Sequence, residues 1–284
     1  MTKTNKNTKK ETETEIKKLI KALKRYDHGG YPRERERELE GIKDKLVSIG
    51  KPAVPQLIEV LNNHDTWSSY FAADALGEIG DERAITPFVD TLEEEEIGEN
   101  AKEALKKFGT VCIPKVIKKV EYRIAHPITE GRGLDLITSY ALSTIGEIRC
   151  GESTKFLNEL LDDYVSEMPD ESFDPTKLDW KYRNVDFFHL LDTMVRQQDK
   201  RAIPHIRKAR DFFPDNYTDH KICQIAIGRI KKGRVEGYLP LEALEIAMPS
   251  GAIMDALSGG ELGWKDTFDE DYGEYFEDEE DNEE

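Results

Sequence analysis

Cysteine is scarce in this chain. The three present in 284 residues, Cys112, Cys150 and Cys223, are odd in number and far apart, which excludes a disulfide framework or a paired metal-ligand set. A reduced, cytoplasmic setting is expected. Long apolar runs are missing too: none approaches the ~18 residues that cross a bilayer, and the lysine-rich start MTKTNKNTKK leads into no apolar leader stretch. A soluble, unexported chain that engages no membrane follows as the expectation. The dinucleotide pattern GxGxxG, the phosphate loop, HExxH and GxSxG do not occur. No cofactor, metal or catalytic residue is therefore expected. Apolar residues make up 38%, below the usual figure of about 45–50%, while charged residues reach 35%, so much of the surface must be solvated, as in a thin two-layer architecture.

Charge is plentiful but uneven. The net charge is -17. From Glu261 to Glu284 thirteen acidic residues face one lysine, Lys265, so this stretch carries -12 and the remainder -5. With few aliphatic residues and heavy like charge, such a tail is expected to be disordered.

What the chain has is a repeat. ALGEIG at Ala75–Gly80 returns as KLVSIG (Lys45–Gly50), ALKKFG (Ala104–Gly109), ALSTIG (Ala141–Gly146), the degenerate TMVRQQ (Thr193–Gln198) and AIGRIK (Ala226–Lys231). The spacings are 30, 29, 37, 52 and 33 residues, a base period near 30 with insertions before the fourth and fifth copies. A second element repeats in phase: AVPQLIEVL (Ala53–Leu61), AITPFVDTL (Ala84–Leu92), CIPKVIKKV (Cys112–Val120), ESTKFLNEL (Glu152–Leu160) and AIPHIRKAR (Ala202–Arg210). DERAI at Asp81–Ile85 reappears as DKRAI at Asp199–Ile203.

Each unit reads as helix, turn, helix. Leu39, Ile42, Leu46 and Ile49 are spaced to share one helical face. Gly50, Gly80, Gly109 and Gly146 fall where the first helix should end in a left-handed residue. Asp81 and Asp199 follow as caps, and Pro55, Pro87, Pro114, Pro204 and Pro240 suit the first turn of the second helix, where a missing N–H costs little. One such hairpin cannot cover both its apolar faces, so neighbouring hairpins must stack.

The pattern ALGxIGDxRAxxPLxxxL, carried here by Ala75, Leu76, Gly80, Asp81, Arg83 and Ala84, resembles the HEAT-like repeat family, in the short form first noted in phycobiliprotein lyases. The resemblance spans roughly Pro32 to Met248. It implies an all-α, right-handed superhelix of about six helical pairs. The expected organisation is a disordered tail over 1–14 and a capping helix and turn over 15–31. The solenoid then occupies 32–258, with insertions at 121–135 and 162–184 and a C-terminal cap, and the acidic tail fills 259–284. The motif residues are packing and turn residues, so they point to no chemistry.

A likeness in architecture to deoxyhypusine hydroxylase, whose iron ligands come from repeated His-Glu pairs, is not matched in the residues. None of His28, His64, His126, His189, His205 and His220 precedes a glutamate. An accessory or enzymatic role of the bilin-lyase or hydroxylase type stays as the alternative the resemblance implies. Cys112, Cys150 and Cys223 are expected to be buried structural thiols.

In HEAT-like stacks the second helices line the concave face. The polar positions there are Gln56, Glu59, Asp90, Glu93, Lys115, Lys118, Lys119, Asn158, Glu159, His205 and Lys208. They run acidic, then basic, then mixed. With Trp180 from the second insertion, whose other aromatics Tyr164, Phe173 and Tyr182 are expected to pack locally, they form the candidate surface for a protein partner. A scaffold or adaptor is the leading reading. A basic stretch from Arg196 to Arg234 offers nucleic acid as a further partner, gated by the acidic tail.

Overall fold

The structure is a computed structural model that describes residues 3–26, 35–63, 67–92, 94, 97–126, 136–168, 181–182, 185–214 and 218–235. Among the described residues there are twelve α-helices and no strand. The chain divides into two compact units, Met1–Ile148 and Arg149–Glu284.

The first unit opens with α1 (Lys3–Leu23), which buries Ile16, Leu19 and Leu23 and packs on the next two helices. Residues 3–14, expected as a disordered tail, are thus helical. The segment contains no Gly or Pro, and its lysines and glutamates are good helix formers, so the buried turn at Ile16 propagates backwards through them. Then come α2 (Glu36–Ile49), α3 (Val54–Leu61), α4 (Trp67–Ile79), α5 (Ile85–Thr91), α6 (Gly98–Phe108), α7 (Ile113–Ala125) and α8 (Leu136–Glu147). The first helices of successive repeats, α2, α4, α6 and α8, pack in order, and each second helix, α3, α5 and α7, packs against the first helix of the following repeat.

The second unit contains α9 (Gly151–Ser166), α10 (Phe187–Gln197), α11 (Ile203–Phe212) and α12 (Thr218–Lys232). Here α9 packs on α10 and α11, and both of those pack on α12. The second residue of every hexapeptide copy lies in a core: Leu46, Leu76, Leu105, Leu142, Met194 and Ile227 are all buried. Full burial of one such side chain contributes about 1.5–3 kcal/mol, which is why this position keeps its apolar character while its neighbours drift.

The turns follow the expected chemistry with one correction. Gly80 ends α4 at φ 64°, and at the degenerate copy Gln198 takes the same left-handed place after α10 at φ 53°. Gly146 does not: it lies inside α8, which runs on to Glu147. The chain needs no left-handed residue there, because it leaves the helix through Ile148 and enters α9 from an extended Cys150 at φ -157°. Pro55, Pro114 and Pro204 are the second residues of α3, α7 and α11, and Pro87 is the third of α5.

The repeated Asp-x-Arg motif shapes the turns. Asp81 accepts the Arg83 backbone N–H (3.1 Å) and, through both carboxylate oxygens, the Arg83 side chain at 2.8 and 2.9 Å. Arg83 also donates to the Lys51 carbonyl of the preceding repeat at 2.9 Å. Asp199 repeats the arrangement with Arg201 and accepts from Thr154 on α9 at 3.0 Å. The arginine hydrogen bonds hold both carboxyls well below the ordinary range, at about 2.

Both expected insertions begin later than the sequence suggested. Helix α7 continues to Ala125 and α9 to Ser166, because neither extension contains a breaker; that of α9 also buries Tyr164 and Val165. The remainder of the first insertion, most of the second, the expected C-terminal cap with Pro240 and the acidic tail lie outside the described residues.

Candidate functional site

The sequence-derived surface residues fall into one group in each unit. In the first, Gln56 and Glu59 lie on α3, Asp90 on α5, and Lys115, Lys118 and Lys119 on α7. Glu59, Asp90, Lys115 and Lys118 are exposed, while Gln56 and Lys119 are half-buried. Helices α5 and α7 pack side by side, and polar contacts cross between them: Lys115 donates to the Thr86 hydroxyl at 2.6 Å and Lys119 approaches Asp90 at 3.8 Å. Gln56 Oε1 is buried and meets no donor among the described residues. Glu93 and Trp180 lie outside the described residues.

The sequence reading stopped at Val120, but the face of α7 continues. Lys115, Lys118 and Tyr122 are spaced three and four apart and so share one side of the helix. Tyr122 is 54% exposed and stacks on His126 with ring centroids 4.3 Å apart. The signal was present in the sequence: Glu121 to Ala125 contains no Gly or Pro to end the helix, so Tyr122 belonged to the same face. The result is a stripe that begins cationic and ends aromatic.

In the second unit His205 and Lys208 sit on α11 and meet one carboxylate on α9. The His205 ring Nδ1 lies 2.8 Å from Asp162 Oδ2, and Lys208 donates to Asp162 Oδ1 at 3.3 Å. Asn158, one turn earlier on α9, donates to the Arg201 carbonyl at 3.5 Å, while its Oδ1 meets no donor among the described residues. These groups link α11 to α9, while Lys208 itself stays exposed, as do Arg207, Lys155 and Glu159 on the same pair.

The first helices of the first unit carry a charge ladder that sequence inspection missed. Lys43 on α2 donates to Asp74 (3.1 Å) and Glu78 (2.9 Å) on α4; Lys107 on α6 donates to the other oxygen of Asp74 at 3.0 Å; Lys106 and Lys102 on α6 reach Glu147 on α8. Burial works against the charge of Lys43, but its hydrogen bonds to Glu78, Glu40 and Asp74 outweigh it and raise its pKa. Burial also opposes ionisation of Asp74, yet Lys107 and Lys43 hold it below the ordinary carboxylate range. A shallow groove beside the ladder is lined by Tyr70, Phe71, Asn100 and the charged residues. Lys43, Asp74 and Lys107 are 31 and 33 residues apart, one period each, and that spacing was the available clue.

The thiols are structural at two positions and differ at the third. Cys112 is buried and donates to the Leu105 and Gly109 carbonyls, and burial pushes the Cys223 thiol up. Cys150, expected to be buried, is half-buried and caps α9 by accepting the Ser153 N–H at 3.3 Å. Among the described residues no three His, Cys, Asp or Glu side chains are gathered as metal ligands, and no helix is long and apolar enough to cross a membrane.

Residues 70–94, which contain most of α4, the Asp81 turn and α5, match the family model of the PBS lyase HEAT-like repeat. No curated protein matches the sequence.

Proposed function

We propose a binding function from one premise, that the chain is a HEAT-like repeat protein: it is a non-catalytic scaffold or adaptor that engages a protein partner through its second helices, displayed on a right-handed superhelix of about six helical pairs. The observation that carries this reading is the α7 stripe. A half-exposed tyrosine stacked on a histidine is the kind of amphipathic anchor that concentrates binding energy in protein interfaces. Lys115 and Lys118 beside it add a positive field that steers an acidic partner segment onto the anchor. The partner is therefore expected to present carboxylates next to an apolar or aromatic residue. We place the complex in the cytoplasm, where the three thiols stay reduced.

Affinity capture from native extract with the full chain tests this. One protein retained in stoichiometric amount by the wild type, and lost with Lys118→Glu and Tyr122→Ala while helicity is unchanged, is the expected result. Retention of the same protein by both variants moves the interface off α7. A captured client that receives a covalent group, or whose processing requires a metal, would replace the scaffold reading with an accessory role of the bilin-lyase or hydroxylase type.

A further inference from the structure

Helix α1 keeps its cations to one side. It packs on α2 and α3 and buries Ile16, Leu19 and Leu23, which share one arc at about 100° per residue, with half-buried Ile20 and Ala22 at the margins. From Ile16 to Arg25, where the 3-10 turn Lys24–Tyr26 carries the helix on, there are five cations and no acid. These five, Lys17, Lys18, Lys21, Lys24 and Arg25, fall within about 120° of arc opposite the buried residues, and Lys10 extends the arc towards the N-terminus. Lys24 is half-buried and the others are exposed, and none of the six forms an ion pair among the described residues. Glu11, Glu13 and Glu15 flank the arc, so Lys9–Arg25 holds seven cations to three carboxylates. The neighbouring helix adds no excess of acid. Arg35 and α2 together hold four acids and four bases, with Glu38 on Arg35 at 3.1 Å and Glu40 and Asp44 on Lys43 at 3.0 and 3.7 Å. Helix α3 carries one acid, Glu59.

We propose that this face of α1 binds the phosphates of double-stranded DNA. Its cations form two rows, Lys10, Lys17 and Lys24 on one flank and Lys18 and Arg25 on the other, about 90° apart round the helix. A helix about 10–12 Å across fits the B-form major groove, about 12 Å wide, where its two flanks meet the phosphates of two strands. Between the rows lie only Lys21 and Thr14, whose hydroxyl already donates to the Lys10 carbonyl at 2.8 Å, so phosphates rather than base edges are recognised. The face holds no aromatic and no exposed apolar side chain. Protein interfaces are anchored by such residues and are poor in lysine, and a helix that lies on a membrane inserts its apolar side, which in α1 is packed within the fold. The net charge of -17 does not set the local field, because charges beyond about 10 Å are largely screened at about 0.1 M salt. This surface is separate from the α7 stripe, so either reading can fail alone.

Fluorescence anisotropy of the full chain with a short labelled DNA duplex of mixed sequence, over a salt series, tests this. Affinity is expected to fall steeply, with a slope of log K against log salt of about -4 to -5, as for five phosphates neutralised. Lys17→Gln combined with Lys21→Gln should lower that slope by about two and weaken binding about tenfold or more at low salt, with helicity and melting unchanged because both side chains are exposed. Lys155→Gln combined with Lys200→Gln, exposed lysines of the second unit, should leave binding within about twofold. No binding of the duplex, or an equal loss in the two double variants, overturns the proposal. Equal affinity for an RNA duplex also overturns it, since the narrow A-form major groove does not admit a helix. Vesicles containing phosphatidylserine serve as a counter-probe: binding to them, lost with Lys17→Gln and Lys21→Gln and unaccompanied by DNA binding, would make this a membrane-facing surface instead.

Discussion

The two units use one repeat template and are held together differently. In the first, successive first helices are laced by charge, from Lys43 through Asp74 to Lys107 and from Lys106 to Glu147. In the second, an aromatic cluster ties α9 and the residue after α11 to the start of α10. Tyr164 of α9 lies 5.8 Å from Tyr182 and 5.5 Å from Phe187, and Phe187 lies 5.5 Å from Phe213. Burial pushes the Tyr164 phenol up. The difference teaches what the second insertion does at its described end: it returns Tyr182 to the core, so at that residue it is packing material. It also shows that the repeat specifies helix pairs and leaves the means of joining them to the residues around the motif.

Breaking the aromatic cluster should have the largest effect. Phe187→Ala is expected to destabilise by about 3–5 kcal/mol through the cavity it leaves, measured by urea unfolding, with the same loss at low and high salt. A loss under half that size would mean the aromatics are not the joint of the second unit.

Removing a turn cap comes next and should affect both units alike. Asp81→Ala and Asp199→Ala are each expected to cost about 1–2 kcal/mol. Both carboxyls titrate near 2 in the folded chain, below the unfolded value of about 3.9. Their contribution is therefore complete above pH ~4 and is lost as pH falls through ~2. In a thermal melt series over that window the wild type should lose stability faster than the double variant; parallel curves would deny the caps this role.

A finer contrast separates Gly80 from Gln198, which occupy equivalent left-handed positions. Space is open around Gly80, so Gly80→Ala should cost about 1 kcal/mol from backbone conformation alone. Gln198→Gly relieves that strain but removes the bonds to the Val195 and Arg234 carbonyls, so the net change should stay under about 1 kcal/mol. A large loss at Gln198 would make its side chain the true fastening of the α10–α12 edge.

The ladder should give the smallest change, and one that depends on salt. Its carboxylates are 37–43% exposed at Asp74 and Glu78, so screening limits Lys43→Ala to about 0.5–1 kcal/mol, shrinking as salt rises. A salt-independent loss would assign the effect to the buried lysine stem instead.

The repeat was legible because its cause is local and periodic. Leu76 and Leu105 recur at the position that meets the next hairpin, and glycine or aspartate recurs where the backbone must reverse. Even the degenerate copy at Thr193–Gln198 aligned correctly, ending in a left-handed residue without a glycine. The placement of the polar positions on the second helices was legible only in part. Lys115, Lys118 and Asp90 were found on the exposed side of their helices, and so was Lys208, but Lys208 and the half-buried His205 also meet Asp162, 46 and 43 residues away.

From the sequence alone, then, come the helix pairs, their period, their turn chemistry and the opposite charge of the C-terminal segment and the stretch before it, since each depends on neighbours a few residues apart or on composition. Which lysine is exposed and which is neutralised was decided only in three dimensions. Lys43 and Lys118 are both lysines on amphipathic helices, yet Lys43 meets two carboxylates from the following repeat while Lys118 stays exposed beside Tyr122. Charge pairing falls off over a few ångströms, and only tertiary packing sets those distances.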